Sequence, residues 1–250
     1  MAGQAQEGLP RLQMFDDAHS LYCAKVRVAL IAKGAAYESL EVPCGSTNSP
    51  QYLAQVPLGK LPALLVTEPG QPTVCLMESE VINEYLEERF PAPAESSGAA
   101  PVRLMPSDQV QRAQVRMVSR FHDLYFAPAL AKLYPHVDPA KRDPAAVAAA
   151  VKELQARTEQ LLALLPPRGP YACGSHLTLA DCGYPAAFLY IDLIVPAVMS
   201  GQGMQWPERI KGWQAALGAD PHVQAAMDVL KPGAYKWMRS KLGEDWQPPM

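Results

Sequence analysis

The sequence predicts an α/β domain followed by an all-helical domain. Three observations lead to this prediction. Short apolar segments alternate with helical segments through the first third of the chain, residues 91–107 are rich in Pro, Ala and Ser, and only helical patterns follow them. Alternating strands and helices build a mixed α/β layer, whereas a stretch of Pro, Ala and Ser is typical of a linker. We therefore place one domain at residues 10–91 and a helical-bundle domain at residues 107–240.

The first domain has the predicted order β-α-β-α-β-β-α. Apolar runs bounded by turn residues predict its strands, and segments with apolar positions at helical spacing predict its helices. The strands are expected at residues 12–15, 37–42, 63–67 and 73–77, and the helices at residues 22–33, 50–56 and 79–90. Gly34 is expected to end the first helix, and Pro69-Gly70 supplies the turn between the last two strands.

Helical patterns cover the second domain at residues 107–133, 144–165, 178–198, 207–217 and 221–230. Pro128 is expected to bend or end the first of these helices, because proline has no N–H to donate. Thr178 and Asp181 are spaced as the N-cap and N3 residues of a capping box, a folding element to which we assign no ligand role. Four tryptophans late in the chain are expected to pack within this domain: Trp206, Trp213, Trp237 and Trp246.

The composition argues against several classes of function. Lys and Arg number 22 and Asp and Glu 25, and no basic run would neutralise several phosphates, so nucleic acid is not an expected partner. The longest apolar stretch, residues 186–198, carries Asp192 and is too short to span a bilayer. Residues 1–10 lack the blocks of a signal peptide. Five scattered cysteines without metal-ligand spacing predict a cytoplasmic protein with no bound metal.

The most informative stretch is residues 19–31, where a polar turn leads into a helix that begins Ser-x-x-Cys. Ser20 and Cys23 therefore lie at the mouth of a helix, whose unpaired N–H groups and positive dipole end stabilise an anion such as a thiolate. That thiolate belongs either to Cys23, as a catalytic nucleophile, or to a ligand. A helix-interior cysteine is more often a small core residue. Ser20 either stabilises the anion or only caps its helix.

Two further motifs have both a structural and a functional interpretation. Lys60-Leu61-Pro62 precedes an apolar strand, and Pro62 is a candidate for a cis bond that leaves the Leu61 backbone free to pair with an extended ligand. The alternative is an ordinary loop with a surface lysine. Glu78-Ser79 either merely begins a helix or binds an amino-acid head group. In the second case Glu78 would bind the ammonium, and Ser79 with the free N–H groups behind it would bind the carboxylate.

In this order and spacing, the three motifs resemble the N-terminal thioredoxin-like domain of the cytosolic glutathione transferases, in particular the serine-type (tau, zeta, omega-like and bacterial-type) members. Residues 174–181 extend the resemblance into the helical half, and it covers residues 11–230. The resemblance implies a thioredoxin-like domain followed by a helical bundle, glutathione as the cofactor, and a homodimer in which the α/β domain of one subunit meets the helical domain of the other.

The resemblance also implies roles for individual residues. Ser20 would donate a hydrogen bond to the glutathione sulfur, and the N–H groups of residues 22 and 23 would add a positive electrostatic field there. Tyr22 is a second candidate for a hydroxyl near the sulfur. Lys60 would face the glycyl carboxylate, and Leu61 would face the cysteinyl backbone. Glu78 and Ser79 would bind the γ-glutamyl head. The implied glutathione-binding residues are Lys60, Leu61, Pro62, Glu78 and Ser79.

The same resemblance places a pocket for a small electrophile between the domains, against the first long helix. The candidate substrate-binding residues are Arg116, Arg120 and Tyr125, with His122 and Tyr134 also able to face it. The stripe of Arg112, Arg116 and Arg120 has three interpretations: a solvated surface, a dimer salt bridge or a contact with an anionic substrate.

We therefore expect a glutathione transferase that activates the glutathione thiol for attack on a small hydrophobic electrophile, a detoxification type of reaction. Conjugation, dehalogenation, ether cleavage and isomerisation all begin with this thiolate. One alternative is a glutathione-dependent thiol-disulfide reductase that uses Cys23. Another is a non-catalytic binding protein on the same fold, which the presence of Lys60, Glu78 and Ser79 disfavours.

Overall fold

The computed structural model describes residues 8–92 and 101–248, so residues 93–100 of the predicted linker lie outside the described part. The first half is built on a four-stranded sheet of β1 (Arg11–Phe15), β2 (Glu38–Leu40), β3 (Ala63–Thr67) and β4 (Val74–Met77) in the order β2-β1-β3-β4. β1 is parallel to β2, and β3 is antiparallel to both β1 and β4. This mixed sheet is thioredoxin-like, which confirms the predicted class.

Three helices accompany the sheet: α1 (Leu21–Ala32), α2 (Pro50–Leu53) and α3 (Ser79–Arg89). Ser20 caps α1, and the chain leaves this helix through Gly34, whose φ of 62° suits a residue without a Cβ. Nearly every residue of α1 is buried, because α3 contacts it on the domain's own side and α7 (Tyr184–Val198) and α9 (Pro221–Leu242) contact it from the helical half.

The helical half contains α4 (Gln109–Phe121), α5 (Ala127–Ala131), α6 (Pro144–Leu164), α7, α8 (Glu208–Ala219) and α9. The predicted helix at residues 107–133 is wrong as a single element. It divides into α4, a π-helical turn (His122–Phe126) and α5, with Pro128 in the first turn of α5, where its missing N–H costs nothing. α9 passes through Pro232 and ends well beyond the predicted residue 230.

Only half of the predicted capping box forms: the Asp181 carboxylate accepts from the Thr178 N–H, but the Asp181 N–H donates to the Thr178 carbonyl and not to its side chain. The helix predicted to begin at residue 178 begins instead at Tyr184, as α7. Asp181 is fully buried and accepts hydrogen bonds from the Thr178 N–H and hydroxyl, both at 2.8 Å. It also accepts one from the Trp213 indole at 2.7 Å. Burial raises the pKa of Asp181 to about 6, against the opposing effect of these donors. The box therefore organises the turn before α7 and ties it to α8.

One continuous apolar core runs through both halves, from Met14 and Leu30 to Leu130 and Trp213. The two halves therefore pack as a unit, and a cleft between them has a defined shape. Within the described residues, no helix combines the length and the apolar composition that crossing a bilayer requires.

Candidate active site

The strand register brings the three sequence motifs to one edge of the sheet. Phe15 at the end of β1 pairs with Ala63 at the start of β3, and Ala63 pairs with Met77 at the end of β4. Neighbouring strands lie about 4.8 Å apart, so the segments that adjoin these three residues lie side by side. Those segments contain Ser20, Leu61-Pro62 and Glu78-Ser79.

Ser20 forms the mouth of α1. Its Oγ accepts a hydrogen bond from the Cys23 N–H at 3.3 Å, so its own hydroxyl hydrogen is left to donate elsewhere. Among the described residues, the N–H groups of Leu21 and Tyr22 have no hydrogen-bond partner. The Cys23 N–H, which we expected to face the anion, is instead used by the cap. The mouth of α1 therefore offers one hydroxyl and two backbone donors.

Cys23 lies beneath this mouth and not within it. Its side chain is fully buried, and burial raises the pKa of the thiol to about 12, although Ser20 acts in the opposite direction. A thiol in this position stays protonated at neutral pH and is out of reach of a ligand. The structure thus argues against the prediction of Cys23 as a nucleophile and places it in the core, which was the alternative interpretation.

The Leu61–Pro62 peptide bond is cis, as predicted. Pro62 is buried, and Leu61 is half-buried. The Tyr52 hydroxyl, from a fully buried ring in α2, donates to the Lys60 carbonyl at 2.7 Å and supports this loop. Sequence reasoning missed Tyr52, whose signal was an aromatic residue in a short helix next to the motif. The Lys60 side chain is exposed and makes no ion pair within the described part of the chain.

Glu78 and Ser79 form the mouth of α3. Glu78 has a φ of 70°, a left-handed conformation that is uncommon for a residue with a side chain and that often occurs at functional sites. Its side chain is exposed, whereas Ser79 is buried. The N–H groups of Ser79, Glu80 and Val81 have no acceptor among the described residues. A carboxylate, a hydroxyl and three free donors thus meet at one helix end.

A buried ionic cluster lies directly behind these two mouths. We call Lys25, Glu80, Ser119, His122 and Asp123 the Lys25 cluster. Lys25 Nζ lies 2.8 Å from both the Glu80 and the Asp123 carboxylates. The Ser119 hydroxyl donates to Glu80 at 2.5 Å, and His122 Nδ1 lies 2.9 Å from Asp123. Burial alone would raise the pKa of Asp123, but its contacts with His122 and Lys25 lower it to about 2.

The Lys25 cluster ties three helical elements together, since its members come from α1, α3, and α4 with the π-helical turn. Sequence reasoning considered only His122 from this group, and as a pocket residue. The signal it missed was a lysine within an otherwise apolar helix, because such a charge needs an equally buried partner.

A cavity of about 580 Å³ opens beside the mouth of α1. One wall comes from the loop before α1, the first turn of α1 and Leu61, and the other from α5, the turn at Tyr134, α7 and α9. The lining residues are Asp17, His19, Ser20, Leu21, Tyr22, Leu61, Ala127, Pro128, Ala131, Tyr134, Tyr190 and Trp237. The lining is mostly aromatic and aliphatic, and no Lys or Arg of the described chain contributes to it. Burial, with a smaller effect of Asp123, raises the pKa of Tyr22 to about 12.

The predicted substrate-binding residues lie elsewhere. Arg116 forms a two-point ion pair with Glu84, its Nε 2.6 Å from Oε1. Arg120 lies 3.4 Å from the Asp123 carboxylate, and the Tyr125 ring packs on Phe121. None of Arg116, Arg120 and Tyr125 is among the described residues that line the cavity, so this cavity gives the prediction no support.

Two further expectations about the lining need correction. Trp237 lines the cavity and does more than pack the helical domain, whereas Tyr134 lies where we expected it. His122 is fully buried in the Lys25 cluster and does not reach the cavity. Helical periodicity alone cannot tell which apolar face of a helix borders a cleft, because a cleft and a core select the same residue types.

Comparison with known proteins agrees with this geometry. A family model described as glutathione S-transferase, N-terminal domain, matches residues 14–94. The chain is 32% identical over 223 residues to the stringent starvation protein A homolog of Pasteurella multocida (strain Pm70), which covers 88% of this chain and 92% of that protein. It is also 32% identical over 233 residues to the probable glutathione S-transferase GSTU6 of Oryza sativa subsp. japonica, covering 89% and 93% of the two chains.

The thioredoxin-like sheet, the helical half and these similarities together define the class: the chain belongs to the glutathione S-transferase family. Its fold is shared with the theta class glutathione S-transferase of Xanthomonas axonopodis pv. citri, solved with glutathione bound. The two structures have a TM-score of 0.66 and 24% sequence identity, and the match covers 87% of this chain and 97% of that one.

Proposed function

We propose that this protein is a glutathione transferase in which Ser20 holds the thiolate of bound glutathione for attack on a small hydrophobic electrophile. The observation that carries this proposal is the strand register, which brings Ser20, Leu61-Pro62 and Glu78-Ser79 to one sheet edge. An apolar cavity adjoins the first two of these segments. The proposed glutathione site therefore lies beside the cavity proposed for the electrophile, which supports a transfer between two substrates.

Each segment matches one part of glutathione. The exposed Glu78 carboxylate suits the γ-glutamyl ammonium, and the free donors at the mouth of α3 suit its carboxylate. Beside the cis Pro62, the Leu61 backbone suits the cysteinyl peptide group, and Lys60 suits the glycyl carboxylate. Free thiols have a pKa of about 8.5, so the Ser20 hydroxyl and the donors of α1 would favour the thiolate at neutral pH.

The cavity lining indicates what the electrophile is like. Aromatic and aliphatic side chains make up most of the wall, and no Lys or Arg of the described chain lines it to pair with an anion. An uncharged, flat electrophile therefore fits better than a carboxylic acid, because a buried carboxylate without a cationic partner costs several kcal/mol. We accordingly propose conjugation of uncharged aromatic compounds, a detoxification reaction, carried out by a homodimer in the cytoplasm.

The replacement Ser20→Ala tests the proposal. It removes the hydroxyl next to the sulfur but none of the groups assigned to the glutamyl and glycyl ends. Turnover of chlorodinitrobenzene with glutathione should fall by about 10- to 100-fold, because one oriented hydrogen-bond donor is lost. The variant should still be retained on immobilised glutathione. Asp108→Ala is the control, because Asp108 likewise caps a helix, α4, through its side chain but does not line the cavity. Equal turnover of native protein and Ser20→Ala would refute the role of Ser20.

A non-catalytic binding function is the second candidate. It is favoured by the similarity to the stringent starvation protein A homolog, which extends over most of both chains. The two candidates differ in their affinity for glutathione. If the native protein neither binds immobilised glutathione nor gains thermal stability from millimolar free glutathione, the transferase proposal is wrong and the binding function is supported.

A further inference from the structure

One titratable side chain on the cavity wall has no role in the site described above. His19 lines the cavity together with its neighbours Asp17 and Ser20. Its Nδ1 lies 2.5 Å from Asp17 Oδ1, and its backbone N–H donates to the same oxygen at 2.9 Å. The imidazole is 46% exposed, and no hydrogen bond within the described part of the chain uses Nε2. Nε2 is therefore the nitrogen available to a ligand.

The backbone of His19 is held from three sides. The Tyr190 hydroxyl of α7 donates to the His19 carbonyl at 2.5 Å. α9 approaches so closely that a Cβ at Gly233 would lie 3.1 Å from the His19 backbone nitrogen. The buried guanidinium of Arg27, from α1, donates to the Asp17 carbonyl at 2.6 Å. His19 is thus a half-exposed residue with a fixed position, next to the residue proposed to bind sulfur.

We propose that His19 is a catalytic base that accepts the thiol proton of glutathione; this inference rests on the proposed transferase function. The S–H bond breaks, its electron pair remains on sulfur, and the proton forms a bond to His19 Nε2. The Asp17 carboxylate stabilises the imidazolium through Nδ1, while Ser20 donates to the thiolate. With an aryl halide, halide leaves with the bonding pair as the carbon–sulfur bond forms, and the imidazolium then releases its proton to water.

The surroundings of His19 suit this role. When one imidazole nitrogen faces a carboxylate as a donor, the other nitrogen has a lone pair that can accept a proton. The charged group that contacts the imidazole is Asp17, and the buried Arg27 donates to the Asp17 carbonyl and pairs with Asp16. α7 presents Tyr190, whose pKa is raised by burial so that it stays neutral, and α9 presents Gly233 and Trp237, which do not titrate. Among the described residues, Asp17 is the one that forms an ion pair with the imidazole.

The arrangement of Asp17 and His19 has a close counterpart that serves as a control. Asp220 and His222 have the same spacing, the His222 N–H donates to Asp220 Oδ1 at 2.9 Å, and Nδ1 lies 3.2 Å from that oxygen. Neither residue lines the cavity described here. His222→Gln and His19→Gln thus remove the same kind of local contact, but only the second removes a group from the cavity.

The first measurement needs no electrophile. The ultraviolet absorbance of enzyme-bound glutathione thiolate is followed as a function of pH in native protein, His19→Gln and His222→Gln. We expect the thiolate of His19→Gln to appear at a pH higher by about one unit or more, whereas His222→Gln follows the native curve. If the thiolate of His19→Gln appears at the same pH as in the native protein, the inference is overturned. An equal shift in His19→Gln and His222→Gln would overturn it as well. A native protein that binds no glutathione would instead overturn the proposed function on which the inference rests.

The second measurement separates a proton acceptor from a structural residue. With chlorodinitrobenzene, kcat/KM of His19→Ala near pH 6.5 should fall by about 100-fold, and added imidazole should restore part of it in proportion to its concentration. Asp17→Asn retains the acceptor oxygen for the His19 backbone but not the charge, so its loss should be intermediate. A loss that imidazole does not relieve, in a variant with a native circular dichroism spectrum, would overturn the role as a base.

Discussion

Ser20 and Cys23 lie one helical turn apart, and their different exposure to solvent decides their chemistry. Ser20 borders the cavity and keeps a free hydroxyl hydrogen, whereas Cys23 faces the core. Removal from water disfavours the charged form of a thiol and raises the pKa of Cys23. The helix end, which stabilises an anion outside the core, does not offset this effect. The thiolate at this site would therefore come from a ligand.

This contrast predicts the outcome of thiol modification. Because burial raises the pKa of Cys23 to about 12, its reactive thiolate is almost absent up to about pH 9, and the fraction increases only as the pH rises towards that value. After incubation with oxidised glutathione, peptide mass spectrometry should find no adduct on Cys23. The exposed Cys44 is the internal control. A glutathione adduct on Cys23 would revive the reductase alternative.

At the scale of elements, two ion pairs join α1 to α3 at different distances from the site. Lys25 and Glu80 connect the helices near their mouths, and Lys33 and Glu87 connect them at the far end, Nζ lying 2.7 Å from the Glu87 carboxylate. Both lysines are fully buried. Both pairs should contribute to stability, Lys25 through a second carboxylate, Asp123, as well. Only the Lys25 pair adjoins the residues assigned to glutathione.

The comparison of Lys25→Met with Lys33→Met tests this difference. Lys25→Met leaves the buried carboxylates of Glu80 and Asp123 without this partner, and Lys33→Met leaves that of Glu87. Each variant should therefore lose at least about 3–5 kcal/mol of unfolding free energy in urea denaturation. Since small displacements of binding groups are costly, Lys25→Met should also raise the KM for glutathione by about 10-fold, with the KM for the electrophile nearly unchanged. Lys33→Met should leave both KM values within about 2-fold of native. Similar KM values in the two variants would refute a positioning role for Lys25.

The elements also show where prediction from sequence succeeds. All four strands and α3 lie within a few residues of their predicted bounds, because alternation, turn residues and caps act over short distances. The division of the helix at residues 107–133 was anticipated only through Pro128. The π-helical turn itself has no such local signal, and it precedes the α5 residues that reach the cavity.

For the whole molecule, an apolar surface on α3 and α4 has no partner within the described chain. Val110 and Met117, seven residues apart and hence on one face of α4, are 68% and 45% exposed, and Val81 of α3 is 52% exposed. The ion pair of Arg116 and Glu84 joins the same two helices, which gives the predicted arginine stripe a role within one subunit. Such a surface suits the homodimer that we propose.

The dimer proposal predicts a change of mass. Met117→Lys places a charge within this surface and should convert a dimer of about twice 27.2 kDa into a monomer in light scattering. Val229→Lys is the control, since Val229 is 44% exposed on α9. A native protein that is already a monomer, or a Met117→Lys variant that remains dimeric, would contradict the assignment of this surface.

The sequence by itself determined the class of fold and the helix mouth at Ser20, and it indicated Pro62 as a candidate for a cis bond and Asp181 as a partner of Thr178. Each of these depends on residues near one another along the chain, so local chemistry is sufficient. Only the tertiary structure decided that Cys23 is buried, that Lys25 meets Asp123, 98 residues away, and that Tyr190 supports His19 from 171 residues away. The cavity lining belongs to this second group, because it is formed by side chains that only the packing of the two halves brings together.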